Sequence, residues 1–257
     1  QILNEYIGMN LSYAPRLWKT STAEDTISIL SERVFDIIII MLRISDMNPI
    51  KLSRKIKKTY PDKPIILLVF DESELIELES NYLKSIDNVF IWSGNSNVFT
   101  AIIKNIEDKN NVYRDTEHGD VRSIIVIEDT PRYYSSVLPM LYKIIVRHTD
   151  QLINQSLNDT QKLLHLRKRP KILLAQNYEQ AVTYFDQYQN NILGIISDIR
   201  FPKSNVKNSN AGVIFSEYVQ SKNESIPIIL QTTDVSIKDK IISITDLLLN
   251  KNSATLY

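Results

Sequence analysis

Continuous apolar runs rich in β-branched residues recur along the chain and alternate with stretches of helical periodicity. The first clear run is "FDIIIIML" at 35–42, and "KPIILLVF" at 63–70 follows it. Such runs are typical of strands that a parallel sheet buries on both faces. The alternation therefore predicts an α/β fold with right-handed crossovers. In the first half we predict strands at 16–21, 35–42, 63–70 and 88–93, and helices at 2–12, 21–33, 49–58, 72–84 and 97–107.

The second half repeats the same plan after a polar stretch without periodicity, "KNNVYRDTEHGDV" at 109–121. We interpret this stretch as a linker and predict two domains, 1–117 and 118–257. Because the chain opens in helical sequence and stops just after a strand, we expect it to be part of a longer polypeptide. For the second half we predict strands at 122–129, 170–176, 192–198, 226–232 and 247–251, with helical sequence at 131–167, 178–189, 211–222 and 235–244.

Composition excludes several classes of function. Thirty basic and thirty acidic residues cancel, so no overall field attracts nucleic acid or a membrane surface, and we expect neither as a partner. The absence of cysteine excludes disulfides and thiolate chemistry and suits a cytoplasmic protein. Five glycines, none in a phosphate-binding loop pattern, argue against a nucleotide site in this chain.

Polar side chains directly follow the apolar strands of the second half. Glu128 and Asp129 end the first strand, Asp198 the third, Thr232 the fourth and Lys251 the fifth. Because the carboxyl ends of parallel strands meet at one edge of a sheet, these groups are expected to converge. Carboxylates brought together repel one another unless a hard cation lies among them, and oxygen ligands suit Mg²⁺.

This arrangement predicts phosphoryl transfer to a carboxylate. Asp198 is the candidate nucleophile that becomes an acyl phosphate, while Mg²⁺ and the Lys251 ammonium spread the charge of the transferred group. The Thr232 hydroxyl is expected to donate a hydrogen bond to a phosphoryl oxygen. The metal ligands are expected to be Glu128, Asp129, Asp198 and the main-chain carbonyl of Arg200.

Four phrases of the second half, "IIVIED", "GIISDIRFP", "PIILQTT" and "LLLNKNS", resemble the receiver domain of two-component response regulators, and the resemblance covers about residues 121–257. It implies a flavodoxin-like, doubly wound parallel sheet with strand order 2-1-3-4-5. It also implies Mg²⁺-dependent phosphorylation of Asp198, with a histidine kinase or phosphotransfer protein as donor, and an attached output domain.

The second half departs from this family in its length and at the positions that report phosphorylation to the rest of the domain. Leu248 stands where the family often has an aromatic residue, and Thr233 where it has a small one. A polar loop at 203–210 and an insertion at 131–169 lengthen the chain. Two interpretations of the insertion stay open: a long or broken helix that packs on the sheet and on the first domain, or a contact in a homodimer.

The first half resembles a receiver without the reactive residues. Overlaying the strands puts Met41 at the phosphoacceptor position, Val69 at the hydroxyl position and Ser93 at the lysine position. We therefore expect a second flavodoxin-like sheet, degenerate in its chemistry and lacking its first strand in this chain.

The pairing of the two halves, with "RYYSSVLPMLY", "LLHLRKRPKILLA" and "VFIWSGN", resembles the amino-terminal regulatory region of phosphoenolpyruvate synthase and pyruvate, phosphate dikinase-like proteins. That resemblance implies an attached enzyme of this kind as the regulated output, although no dikinase active-site residue is present. Two other hypotheses stay open: a non-catalytic scaffold in which both receivers are docking surfaces, and an autonomous phosphotransferase completed by the rest of the gene.

Overall fold

The computed structural model of the protein describes residues 15–76, 84–155, 158, 168–233, 245 and 247–251. The contacts group the chain into two compact units, Gln1–Ile106 and Glu107–Tyr257. The domain limits that the sequence suggests, 1–117 and 118–257, stay a prediction. Among the described residues, no helix combines the length and apolar character that crossing a membrane demands.

The first unit contains a parallel sheet of three strands in the order β1-β2-β3. All five residues of the central strand β2 are buried, as the unbroken apolar run at 63–70 predicts. The strands are β1 (Ile38–Met41), β2 (Ile65–Val69) and β3 (Asn88–Ile91), and the helices are α1 (Ala23–Glu32), α2 (Pro49–Thr59) and α3 (Ser73–Ile76). Helix α4 (Asn97–Gly119) begins in this unit and belongs to the second unit from Glu107 onward.

The strand predicted at 16–21 is wrong, because residues 15–20 have no regular secondary structure. In the strand order 2-1-3-4-5, a second strand can pair only with the first strand. The described part of the first unit contains no such partner, so the backbone hydrogen bonds that define a strand cannot form. The helix predicted at 2–12 and most of the one at 72–84 lie outside the described residues.

The second unit contains a five-stranded parallel sheet in the order β10-β9-β6-β4-β5. Counted within the unit, this is the order 2-1-3-4-5, so the predicted flavodoxin-like α/β fold is confirmed. The strands are β4 (Ser123–Ile127), β5 (Lys171–Ala175), β6 (Ile192–Asp198), β9 (Ile228–Thr232) and β10 (Leu247–Asn250), and the helices are α5 (Pro131–Asn154), α6 (Tyr178–Tyr188) and α7 (Ala211–Lys222).

Helix α4 extends through the segment that the sequence analysis interpreted as a linker, so that prediction of a loop at 109–121 is wrong up to Gly119. The buried positions there are Asp108, Val112 and Thr116, which lie on one helical face but are mostly polar. A periodicity of apolar residues cannot reveal such a face. Asp108 is fully buried and accepts hydrogen bonds from Tyr142 Oη, 3.0 Å away, and from the main-chain nitrogen of Ile172, 2.9 Å away.

The insertion after β4 forms one long helix, α5, at least as far as Asn154. Its buried positions include Tyr134, Leu138 and Ile145, which lie at helical spacing in the sequence. Tyr142 Oη donates to Asp108 and the ring of Tyr133 contacts Lys251, so the helix packs against other elements of the second unit. The predicted packing on the first domain and the homodimer contact stay predictions. Most of the remainder of the insertion lies outside the described residues.

The loop predicted at 203–210 contains a β-hairpin instead, formed by the antiparallel strands β7 (Phe201–Lys203) and β8 (Val206–Asn208). Its turn residues Ser204 and Asn205 both have positive φ, 53° and 62°. A two-residue hairpin turn of type I′ requires this backbone conformation at both positions. The sequence shows neither alternation nor an Asn-Gly pair here, which explains why the hairpin was missed.

Candidate phosphoacceptor site

The strand order brings the polar strand ends of the second unit together at one edge. In the sheet, β10 lies beside β9, β9 beside β6 and β6 beside β4. Lys251, Thr232, Asp198 and Glu128 therefore lie at the carboxyl ends of neighbouring strands. The main chain ties these ends to one another. Lys251 N donates to Thr232 O at 2.8 Å, and Ile199 N donates to Gln231 O at 3.2 Å.

Three carboxylates meet at this edge. Glu128, Asp129 and Asp198 each offer one oxygen, and these oxygens lie within 4.8 Å of one another. Glu128 is only 3% exposed, whereas Asp129 and Asp198 are partly open to solvent. A cluster of carboxylate oxygens with solvent on one side fits a hard divalent cation that keeps some of its waters, such as Mg²⁺. The residues present therefore suit the metal that the sequence predicts.

Lys251 is the buried cation of the cluster, with a residue exposure of 4%. Its Nζ makes a short ion pair with Glu128 Oε2 and lies 3.0 Å from Asp198 Oδ2. The ring centroid of Tyr133, near the start of α5, is 4.4 Å from the same nitrogen. The aromatic face adds a cation–π contact to the two carboxylates. Lys251 is thus held beside the proposed nucleophile by groups from two other elements.

The pKa values of Glu128 and Lys251 are both raised, although burial alone would move them in opposite directions. Burial raises the pKa of Glu128 to about 7, because Lys251 offsets only part of the desolvation and Asp198 adds a like charge. For Lys251, burial acts to lower the pKa, but the carboxylates of Glu128 and Asp198 outweigh it and the pKa is raised. The lysine therefore stays charged, whereas Glu128 can take up a proton near neutral pH.

Asp198 lies at the end of β6, where the turn that follows fixes its position. Ile199 N donates to Asp198 Oδ1 at 2.7 Å, and Ser197 Oγ donates to the Asp198 main-chain oxygen at 2.6 Å. The start of α7 approaches this turn closely, since Gly212 N donates to Ile199 O at 3.0 Å. A Cβ at Gly212 would lie 2.2 Å from the main-chain oxygen of Asp198. Only glycine permits this approach of helix and turn.

Thr232 and Arg200 complete the predicted set. Thr232 is 2% exposed at the end of β9, next to Lys251 along the edge. Arg200 is exposed and lies in the turn between β6 and β7. The predicted roles of the Thr232 hydroxyl and of the Arg200 carbonyl stay predictions.

Sequence reasoning missed two residues of this site. Tyr133 contacts Lys251, and Lys207 Nζ forms an ion pair with Asp129 Oδ2 at 2.9 Å. Tyr133 lies four positions after Asp129 near the start of a predicted helix, so its proximity to the edge was a usable signal. Lys207 gave none, because its position depends on the unpredicted hairpin.

The corresponding edge of the first unit has different chemistry. Met41 and Val69 end β1 and β2, and Ser93 follows β3 closely, so all three predicted positions lie at carboxyl ends of strands. None of them carries a carboxylate or an ammonium group. The rings of Phe70 and Trp92, whose centroids are 5.8 Å apart, lie at these strand ends instead.

No family model matches the chain, and no curated protein matches it. Similar solved structures include two response regulator/GGDEF domain proteins of two-component systems. The first has a TM-score of 0.38 and 11% identity, covering 98% of this chain and 86% of its own. The second has a TM-score of 0.33 and 9% identity, covering 91% and 80%. At these values the likeness supports no conclusion about function.

Proposed function

We propose that the second unit is a phosphoacceptor receiver module in which Asp198 accepts a phosphoryl group. The observation that carries the proposal is the position of Lys251 Nζ, 3.0 Å from Asp198 Oδ2 and paired with buried Glu128. Packing does not require an ammonium group and three clustered carboxylates at one sheet edge. Phosphoryl transfer does require positive charge around a carboxylate nucleophile.

In the proposed reaction, a carboxylate oxygen of Asp198 attacks the phosphorus of the donor. The new O–P bond replaces the P–N bond of a phosphohistidine, whose imidazole leaves and takes up a proton. With a small acyl phosphate it replaces the P–O bond to the acyl group, which leaves as a carboxylate. Lys251 neutralises charge on the phosphoryl oxygens, and the Thr232 hydroxyl donates a hydrogen bond to one of them. Glu128, Asp129, Asp198 and the Arg200 carbonyl would hold Mg²⁺, which supplies further charge neutralisation.

The partners follow from this reaction. A histidine kinase or phosphotransfer protein would be the donor, and an output domain attached to this chain would respond in the cytoplasm. The first unit, with Met41, Val69 and Ser93 at the corresponding positions, would be a degenerate receiver that accepts no phosphate. A phosphoenolpyruvate synthase or pyruvate, phosphate dikinase-like enzyme is the output that the sequence resemblance favours.

Acetyl phosphate labelling tests the proposal. The protein is incubated with Mg²⁺ and acetyl phosphate, and its intact mass is measured before and after hydroxylamine, which cleaves acyl phosphates. We expect one phosphate on the wild type and none on Asp198→Asn. Asp186→Asn is the matched control. Asp186 accepts a hydrogen bond from Tyr218 Oη on the helical surface, so this variant should leave labelling unchanged. Equal labelling of Asp198→Asn and wild type would refute the assignment.

A further inference from the structure

The hairpin β7–β8 follows Asp198 closely and is anchored at several points. Phe201, in β7, is fully buried in the core of the second unit. Lys203 Nζ lies 4.3 Å from the ring centroid of Tyr178, and Ser204 N donates to Glu179 Oε1 at 2.9 Å. These contacts fix β7 and the turn on helix α6. The returning strand β8 therefore has a defined position rather than that of a free loop.

The register of the hairpin decides which side chain reaches the acidic cluster. Lys207 pairs with Pro202, while Lys203 pairs with Val206. Since successive residues of a strand point to opposite faces, Lys203 and Lys207 belong to opposite faces of the hairpin. One lysine covers Tyr178, and the other pairs with Asp129. The two positive φ angles of the turn set this register.

Lys207 contacts the same carboxylate that the proposed metal site uses. Its Nζ lies 2.9 Å from Asp129 Oδ2, and the Asp129 side chain is 16% exposed. An ammonium group and a divalent cation repel each other when they share one carboxylate. Binding of the cation must therefore weaken or displace the ion pair of Lys207.

We propose that Lys207 is a tethered competitor of the divalent cation and sets the affinity of the site for it. This inference rests on the proposed function, because it assumes that Asp129 is a metal ligand. The Lys207 side chain is 59% exposed, so its ion pair is screened by water and salt. Exposed pairs contribute about 0.2–1 kcal/mol, which corresponds to a change in affinity of up to about five-fold. Lys207 thus sets the concentration of divalent cation at which the module becomes able to accept a phosphoryl group.

Direct measurement of Mn²⁺ binding tests the inference, since free Mn²⁺ has a strong electron paramagnetic resonance signal that is lost on binding. The full chain is compared with Lys207→Gln, Lys207→Arg and Lys203→Gln. We expect Lys207→Gln to bind Mn²⁺ about two- to five-fold more tightly than wild type at low salt. Lys207→Arg keeps the charge and should resemble wild type. Lys203→Gln removes the same charge from the opposite face and should also resemble it.

The outcomes separate this inference from the function on which it rests. Tighter binding by Lys207→Gln but not by Lys203→Gln, with a difference that shrinks at high salt, supports the competitor role. Equal affinities for the two glutamine variants overturn it, while loss of binding in Asp129→Asn would still support the metal site. Absence of saturable binding in every protein overturns the metal site and the inference together. Circular dichroism checks that each variant is folded.

Discussion

Lys251 Nζ lies 3.0 Å from Asp198 Oδ2, and the lysine reaches this position from the strand β10 at the edge of the sheet. The same nitrogen pairs with Glu128, so one buried cation compensates two carboxylates. Removing one member of a buried ionic group leaves uncompensated charge, which costs more than the pair itself contributes. Loss of Lys251 is therefore expected to destabilise the second unit, in addition to its effect on the proposed chemistry.

Lys251→Met tests the structural part of this role. We expect a loss of about 3 kcal/mol in the free energy of unfolding at pH 8, measured by urea denaturation without divalent cation. At pH 6 the loss should be smaller, because Glu128 can then take up a proton and lose its charge. Lys207→Met, which removes an exposed partner of Asp129, should cost less than about 1 kcal/mol. Equal losses for the two variants would contradict the buried ion pair.

Gly212→Ala is expected to disturb the turn that carries Asp198. The added Cβ would meet the Asp198 main-chain oxygen at 2.2 Å, so helix α7 or the turn must move. Overpacking of this kind costs about 1–3 kcal/mol, and acetyl phosphate labelling should fall with it. In the control Gly194→Ala, the nearest atoms lie at 3.5 Å, an ordinary contact. Thermal unfolding and labelling of both variants check this, and an unchanged Gly212→Ala protein would show that the approach is not required.

Asp108→Ala should be the more damaging of two changes on helix α4. It removes the carboxylate that pairs with Arg169. Burial alone would lower the pKa of Arg169, but the Asp108 carboxylate outweighs burial and the pKa is raised. A buried guanidinium without its carboxylate is expected to cost about 3–5 kcal/mol. Asp115→Ala removes a partly exposed partner of Lys171 and should cost less than about 1 kcal/mol. Urea denaturation compares the two, and similar midpoints would contradict the importance of this buried network.

Divalent-cation binding is expected to weaken as pH falls through about 7. Burial raises the pKa of Glu128 to about 7 in the metal-free protein, so a cation that uses this carboxylate must displace its proton below that pH. The ionised fraction falls about ten-fold between pH 8 and pH 6, and Mn²⁺ affinity should fall by a similar factor. In Glu128→Gln this pH dependence should disappear. A wild-type affinity that is constant from pH 6 to pH 8 would remove Glu128 from the ligand set.

Local patterns were sufficient to predict most of the architecture. The buried strand β2 appears as an unbroken apolar run, because a strand covered on both faces leaves no place for polar residues. The five strands of the second unit also appear as apolar runs, although the edge strand β10 is not buried. The strand order followed from the resemblance of four phrases to receivers, and the structure confirms it. The side chains of Glu128, Asp198 and Lys251 could be placed together because each lies at the carboxyl end of an apolar run.

The strand at 16–21 and the linker at 109–121 could not be judged from local pattern. A strand forms only if its backbone hydrogen-bonds to a neighbouring strand. Within the described part of the first unit, residues 15–20 have no neighbouring strand. Helix α4 continues to Gly119, and its buried face there is mostly polar and hydrogen-bonded, as at Asp108. A periodicity of apolar residues cannot reveal such a face. Both differences depend on contacts with residues distant in the chain.

The amino-acid sequence by itself determined the parallel strands and the identity of the groups at the polar edge of the second sheet, because strand ends and apolar runs are local properties. The strand order came from the resemblance of the second half to receivers. Only the tertiary structure decided which side chains balance the charges of those groups. The ring of Tyr133 on Lys251 and the ammonium of Lys207 on Asp129 arise from a helix and a hairpin that pack back on the edge. Electrostatic compensation depends on distance in space, and that distance exists only once the chain has folded.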